Sequence, residues 1–253
     1  MDLGLKGRHA LVTGGTKGIG RAIAECFAQE GASVAICARN AAEVETAVAD
    51  LRGTGVDAFG QVLDVADGPA LRDFVQAAAE ALGGLDMIVA NVSALAIGQD
   101  EAAWRAGFEI DLMGAVRLVD AAMPFLERSD TASITFISSV SGREIDFAAG
   151  AYGAMKAALV HYAQGLAFQL AGKGIRANTV SPGNTYFEGG VWARIERENP
   201  ALFAQALALN PTGRMGKPEE MARPTVFLAS PAASFVTGTN LVVDGALTRG
   251  VQL

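Results

Sequence analysis

Short apolar runs alternate with helical patterns from one end of this chain to the other. Runs near 8–13, 33–38, 57–63, 85–91, 132–139, 175–180 and 239–244 are dense in aliphatic residues and read as buried strands. Between them apolar residues recur at helical spacing, as at Ile19, Ile23, Cys26 and Phe27, and Asp67 with Pro69 supplies the cap and first turn of another helix. This βαβ alternation predicts an α/β fold: one doubly wound parallel sheet of about seven strands with helices on both faces. The segment 184–213, rich in aromatics and charge, interrupts the alternation and reads as irregular without ending the domain. Residues 1–253 are therefore expected to form one domain, with 184–213 as a substrate lid inside it. No repeat, linker or low-complexity tract is visible.

Two places carry candidate chemistry. The first strand, ending His9-Ala10-Leu11-Val12, runs into Thr13-Gly14-Gly15-Thr16-Lys17-Gly18-Ile19-Gly20 and then into a helix. Strand, glycine turn and helix is the context of a dinucleotide site: Gly14 permits the turn, Gly18 lets backbone approach a pyrophosphate, and Gly20 lets helix and sheet pack closely. Such a turn by itself also serves as a plain connection. The second place is Ser139, Tyr152 and Lys156, the last one helical turn beyond the tyrosine. Ligands in doubly wound folds bind beyond the C-terminal strand ends, where the glycine turn, Asn91, Ser139 and Pro182-Gly183 all fall.

The second strand bears on the choice of nucleotide. It ends Cys37-Ala38-Arg39-Asn40, with no carboxylate at its tip to hold a ribose 2′-hydroxyl. Arg39 can instead grip a 2′-phosphate with paired donors, and Lys17 adds a second cation, so NADP(H) is the expected cofactor. The alternative is that both are solvated surface charges.

With TGGTKGIG at 13–20, Asp64-Val65, Val89-Ala90-Asn91, Ser139, Tyr152-Gly-Ala-Met-Lys156 and Ser181-Pro182-Gly183 in this order, the chain resembles the classical single-domain short-chain dehydrogenase/reductase family, with its Rossmann-type fold. Its overall pattern is similar to that of 3-oxoacyl-carrier-protein reductases and related ketone reductases. The resemblance implies cofactor contacts at Gly14, Thr16, Lys17, Gly18, Ile19, Gly20, Arg39, Asp64, Val65, Asn91, Tyr152, Lys156, Pro182, Gly183 and Thr185. It also implies a homotetramer, with interfaces on the 152–172 helix and the apolar C-terminus. Departures from the family pattern are Ala90 and Ser93 in the fourth-strand motif, Phe187 for a later threonine, and Asp111 in place of a catalytic asparagine.

Reducing a ketone by hydride transfer needs a proton donor for the nascent alkoxide, and the reverse needs a base. A phenol that titrates near 10 is a poor base at neutral pH, but an ammonium one turn away favours the phenolate. Tyr152 is thus the expected acid/base, Lys156 its activator, and Ser139 the donor to the substrate oxygen, with Ser138 as a competitor for that last role. Asp111 as a carboxylate would hold the ammonium and partly offset its pull on Tyr152; helix capping or a surface position is the alternative. Ser93, Ile145, Phe147, Tyr186, Phe187 and Trp192 are candidate substrate-side residues, with Ser139; core or subunit packing is the other reading of the aromatics.

Composition narrows the remainder. A chain of 253 residues with 51% hydrophobic and 19% charged residues and a net charge of −7 has no footprint for nucleic acid or an anionic membrane, and no apolar run of about 18 residues. A cytoplasmic location is expected. Cys26 and Cys37 read as small core hydrophobes, and His9 and His161 are isolated, so no metal site is expected. The expected function is an NADP(H)-dependent ketone/secondary-alcohol oxidoreductase acting on a small-molecule carbonyl or alcohol. The alternatives are a 3-oxoacyl-carrier-protein reductase and a nucleotide-binding regulator of the same fold that has lost turnover.

Overall fold

Each of the seven apolar runs forms a strand in the computed structural model, which describes residues 2–250. They are β1 His9–Thr13, β2 Ser33–Ala38, β3 Ala58–Val62, β4 Met87–Ala90, β5 Ser133–Ile137, β6 Arg176–Pro182 and β7 Asn240–Val243. All pair in parallel, in the order β3-β2-β1-β4-β5-β6-β7. The order reverses between β1 and β4, which opens a crevice beyond their C-terminal ends.

Side chains alternate across the sheet with the strand period of two. Leu11, Ala35, Cys37, Ile88 and Ala90 join one buried cluster, with Leu71 and Phe74 of α3 (Gly68–Leu82), Leu118 of α5 (Gly114–Leu126) and Leu166 of α6 (Ala151–Leu170). Ala10, Val12, Val34, Ile36, Met87 and Val89 join the other, with Ile23 and Phe27 of α1 (Gly18–Gln29), Val44 and Val48 of α2 (Ala41–Gly53) and Val226 of α9 (Pro218–Ala229). Both faces of the sheet are dry, which is why its strands read as continuous apolar runs. The Cys37 thiol is buried in this core and pushed up to about 12 by desolvation; Cys26 is half-buried, and neither is in a disulfide.

Arg176 is a buried charge that the strand pattern did not announce. Its guanidinium donates to the carbonyls of Leu228, Ala229, Ser230 and Val236, closing the C-terminal end of α9 onto β6. Burial pulls it below the usual arginine range.

One expectation changes here. Segment 184–213 contains two helices, α7 Val191–Glu198 and α8 Pro200–Ala208, rather than irregular chain. Asn199 caps α8 by accepting from Leu202 N, Pro200 sits in its first turn, and Trp192, Ala206 and Met215 make a small third core. Ahead of α5, α4 (Glu101–Ala106) passes into a π-helical turn at Gly107–Met113. Residues 251–253, the end of the C-terminus that resemblance assigns to an interface, lie outside the described residues, as does Met1.

Candidate functional site

A cleft of about 760 Å³ lies over the strand ends and takes its lining from both candidate regions. At one end the glycine turn is held by the Cys37 carbonyl, which accepts from Gly14 N (2.9 Å) and Gly15 N (3.3 Å). Gly18 has φ of +56°, a conformation glycine adopts without strain, and a Cβ on Gly20 would collide with the Gly14 carbonyl. The Asn91 amide donates to the carbonyls of Thr13 (3.0 Å) and Gly14 (3.3 Å), so this side chain braces the turn from the neighbouring strand. Lys17, at the N-cap of α1, has no side-chain acceptor for the helix's first N–H groups. The result is a cradle that fits a pyrophosphate: backbone donors at a helix N-terminus, approached over glycine.

Farther along the same end, Thr16, Lys17, Ile19, Arg39, Asp64 and Val65 line the cleft as expected. The structure adds Glu43 among them. Its carboxylate accepts from the Thr16 hydroxyl at 3.0 Å and lies 3.7 Å from Lys17 Nζ, while Arg39 is exposed at the β2 tip. Asp64 Oδ1 accepts from Ala66 N, a turn that sets the β3 exit.

At the other end β5 stops at Ile137, and α6 returns Tyr152 and Lys156 beside it. Both Ser138 and Ser139 line the cleft, but Ser138 donates to the Lys156 carbonyl at 2.8 Å and so spends its hydroxyl on holding α6, a duty from which the Ser139 hydroxyl is free. Lys156 is buried; Nζ donates to the Ile137 carbonyl (3.1 Å) and lies 5.5 Å from the Tyr152 ring centroid. It is 3.2 Å from Asp111 Oδ1, and the two side chains are 2% and 1% exposed. Asp111 Oδ2 accepts from Ala94 N at 2.8 Å. The helix-cap or surface reading of Asp111 is thereby corrected: the π turn aims this carboxylate inward, onto the lysine. Oδ1 meets Nζ by proximity rather than by an aligned hydrogen bond.

The substrate-side residues divide. Ser93, Phe147, Phe187 and Trp192 line the cleft, and Phe147 meets Trp192 edge-on with centroids 5.6 Å apart. Ser93 Oγ accepts from Leu95 N and so shapes its own loop. Phe187 reaches the cofactor end, where its ring covers Gly18. Pro182, Gly183 and Thr185 are at the same rim, with the Thr185 hydroxyl turned back onto the Gly183 carbonyl at 3.1 Å. Two expectations are corrected. Ile145 is 91% exposed and outside the lining, because the hydrogen bonds that draw its neighbour Asp146 inward turn Ile145 out. Tyr186 also lies outside it: its hydroxyl donates to Glu196 at 2.5 Å, which raises the phenol above its ordinary value, and its ring packs on Phe203.

Comparison with known proteins agrees with this geometry. The family model described as Enoyl-(Acyl carrier protein) reductase matches residues 14–248. The isoepoxydon dehydrogenase of Penicillium expansum is 43% identical over 258 residues, covering 100% of this chain and 99% of the relative. The chain belongs to the short-chain dehydrogenase/reductase family. Among solved structures of the fold, L-sorbose reductase from Gluconobacter frateurii, complexed with NADPH and L-sorbose, superposes with a TM-score of 0.90 at 28% identity, covering 99% and 100% of the two chains. A 7α-hydroxysteroid dehydrogenase complexed with NADH and 7-oxo glycochenodeoxycholic acid gives 0.89 at 30% identity, covering 97% and 96%.

Three residues that sequence reasoning missed now stand out in this short-chain dehydrogenase/reductase site. Glu43 had a signal, since Asn40 followed three residues later by Glu43 is a helix-start pattern that puts an acid beside Arg39; Asn40 does cap α2. Ser141 and Asp146 had none, lying in the irregular stretch between Ser139 and α6. No helix among the described residues is long and apolar enough to cross a membrane.

Proposed function

We propose that the protein is an NADP(H)-dependent oxidoreductase that interconverts a ketone and a secondary alcohol on a small molecule. The observation that carries this reading is the buried Lys156 ammonium set 5.5 Å from the Tyr152 ring, in one cleft with a pyrophosphate cradle. A bound nicotinamide dinucleotide supplies or accepts the hydride. The protein does the rest. Ser139 donates to the substrate oxygen as negative charge builds on it, and Tyr152 delivers its phenolic proton to that oxygen in reduction or removes it in oxidation. Lys156 favours the phenolate by its charge and, by family resemblance, holds the nicotinamide ribose hydroxyls. Asp111 keeps the ammonium in place as a positioning group. The 184–213 segment, which carries Phe187 and then Trp192 on α7, closes over the substrate as a lid and excludes water.

Arg39 and Lys17 support NADP(H), gripping a 2′-phosphate at the β2 tip. A homotetramer is part of the proposal; Phe168, 87% exposed on α6, is an apolar side chain that a subunit contact would cover.

Tyr152→Phe tests the reading: NADPH binding is retained while carbonyl-dependent NADPH oxidation falls at least about a hundredfold. A phenylalanine variant with wild-type turnover refutes it. Arg39→Ala tests the nucleotide, since loss of preference for NADPH over NADH is expected and an unchanged ratio removes the assignment. Cofactor binding with no turnover across keto esters, cyclic ketones and aryl ketones would favour the regulator instead.

A further inference from the structure

Asp146 lines the substrate end of the cleft with Phe147 and Trp192, yet the mechanism does not use it. Its carboxylate is fixed on both sides: Oδ2 accepts from the Ser141 hydroxyl at 2.6 Å and Oδ1 from Ala148 N at 2.8 Å. An ionised carboxylate only accepts and offers about four lone-pair sites, so each oxygen retains capacity for a further donor. No cation forms an ion pair with it among the described residues. The carboxylate is also tied to the reacting centre. Since the Ser141 proton points at Asp146, Ser141 Oγ can only accept across its 3.3 Å contact with Ser139, and Ser141 N donates to Ser139 Oγ; the Ser139 proton turns from Ser141 to the substrate oxygen when substrate is bound. Asp146 is thus two hydrogen bonds from the hydroxyl that meets the substrate oxygen.

From this geometry we infer that Asp146 is a substrate-binding residue that selects a neutral ketone bearing a hydroxyl near the carbonyl carbon. The inference rests on the ketone-reductase reading above and adds the substrate class to it. Asp146 lines the same cleft as Ser139 and Tyr152, so with the carbonyl oxygen at those two groups a substituent on a neighbouring carbon would come within its reach. A hydroxyl there donates to a held carboxylate, a charge-assisted bond. An apolar substituent in its place strips water from the carboxylate and returns no donor, and an anionic one is repelled. The same charge argues against an acidic acyl chain carrier at this end of the cleft. It also makes sense of the Ser139–Ser141–Asp146 chain, because the group that reads the substrate hydroxyl also fixes Ser141, whose N–H holds the Ser139 oxygen in place.

The test uses the full chain with NADPH and ketones paired by one hydroxyl: 2-hydroxycyclohexanone against cyclohexanone and hydroxyacetone against acetone, with 4-oxocyclohexanecarboxylate as the anion. The wild type is expected to favour the hydroxylated member by about 10- to 100-fold in kcat/KM. In Asp146→Asn that ratio falls to within a few-fold of one, chiefly through a higher KM for the hydroxyketone, and the anionic ketone gains relative to cyclohexanone. Asparagine keeps one acceptor oxygen, for Ser141 or for Ala148 N, and NADPH binding reports an intact fold. A wild type that does not discriminate within the pairs, or an Asp146→Asn ratio equal to the wild-type one, overturns the inference while the reductase reading stands. Turnover of no ketone in any class overturns that reading and this one with it.

Discussion

Replacing Asp111 by asparagine removes one charge from a pair with almost no access to water, 3.2 Å apart and 2% and 1% exposed. At that separation the attraction amounts to about 5 kcal/mol with an effective dielectric near 20, before desolvation is counted against it. What is lost on breaking a buried pair from one side is better bounded by experience with such pairs, at about 3–5 kcal/mol, because the surviving charge is left buried and uncompensated. Asp111 Oδ2 accepts from Ala94 N, a bond an asparagine carbonyl can keep, so the loss is chiefly the charge beside Lys156. For a domain of this size about 3–5 kcal/mol corresponds to a fall in Tm on the order of 10 °C. Asp111→Asn combined with Lys156→Met removes both charges, so the double variant is expected to be more stable than the sum of the single losses allows. Calorimetry on the four proteins measures this. A single variant with wild-type Tm and strictly additive behaviour with Lys156→Met refutes the reasoning.

Further outcomes follow from the charged groups at the cleft's far end and behind it. Glu43→Gln frees Lys17 and Thr16 from the carboxylate 3.7 and 3.0 Å away, and NADPH affinity is expected to rise up to about fivefold with NADH affinity changed less, the size set by an exposed pair; fluorescence titration with both nucleotides checks it. Glu220 accepts from Arg214 at 2.6 and 2.7 Å and from Lys217 N at 2.8 Å, and the Arg214 guanidinium, then the backbone, hold its carboxyl at about 2. With the folded value below the unfolded one, its contribution is complete above about 4.5 and disappears as pH falls toward 2. The Tm deficit of Glu220→Gln should therefore be constant from neutral pH down to about 5 and shrink below that; a deficit that does not change with pH contradicts the assignment.

The sheet was legible because burial on both faces leaves an unbroken apolar run for each strand, and every such run is a strand in the parallel order. The cofactor cradle was legible for a related reason: Gly14, Gly18 and Gly20 are required by backbone geometry, so the residue type itself records the constraint. Tyr152 and Lys156 came from helical spacing on α6, and the structure keeps them on one face. Asp111 was visible as a departure from a pattern, but its burial was not, because a π turn adds a residue and changes the direction of everything it carries. The helices of 184–213 were hidden by mixed charge and aromatics, although Asn199-Pro200 was an available start signal. Ile145 and Tyr186 failed as substrate walls because direction in a loop is set by hydrogen bonds between particular neighbours rather than by a period.

The same distinction explains where specificity resides in this molecule. The strand ends, the glycine turn and α6 fix the reacting groups through backbone constraints, and the one charge pair they bury, Asp111 with Lys156, is neutral as a unit. Charge that the substrate and nucleotide meet is contributed by connecting segments: Lys17 between β1 and α1, Arg39 and Glu43 where β2 gives way to α2, and Asp146 between β5 and α6. Substitution at these positions changes the field in the cleft without disturbing the sheet, since none of them belongs to either large core. A scaffold of this kind retains its hydride chemistry while its nucleotide and substrate preferences change independently. Exchanging Glu43 should thus alter the choice of dinucleotide and leave the hydroxyketone preference untouched, and exchanging Asp146 should do the reverse.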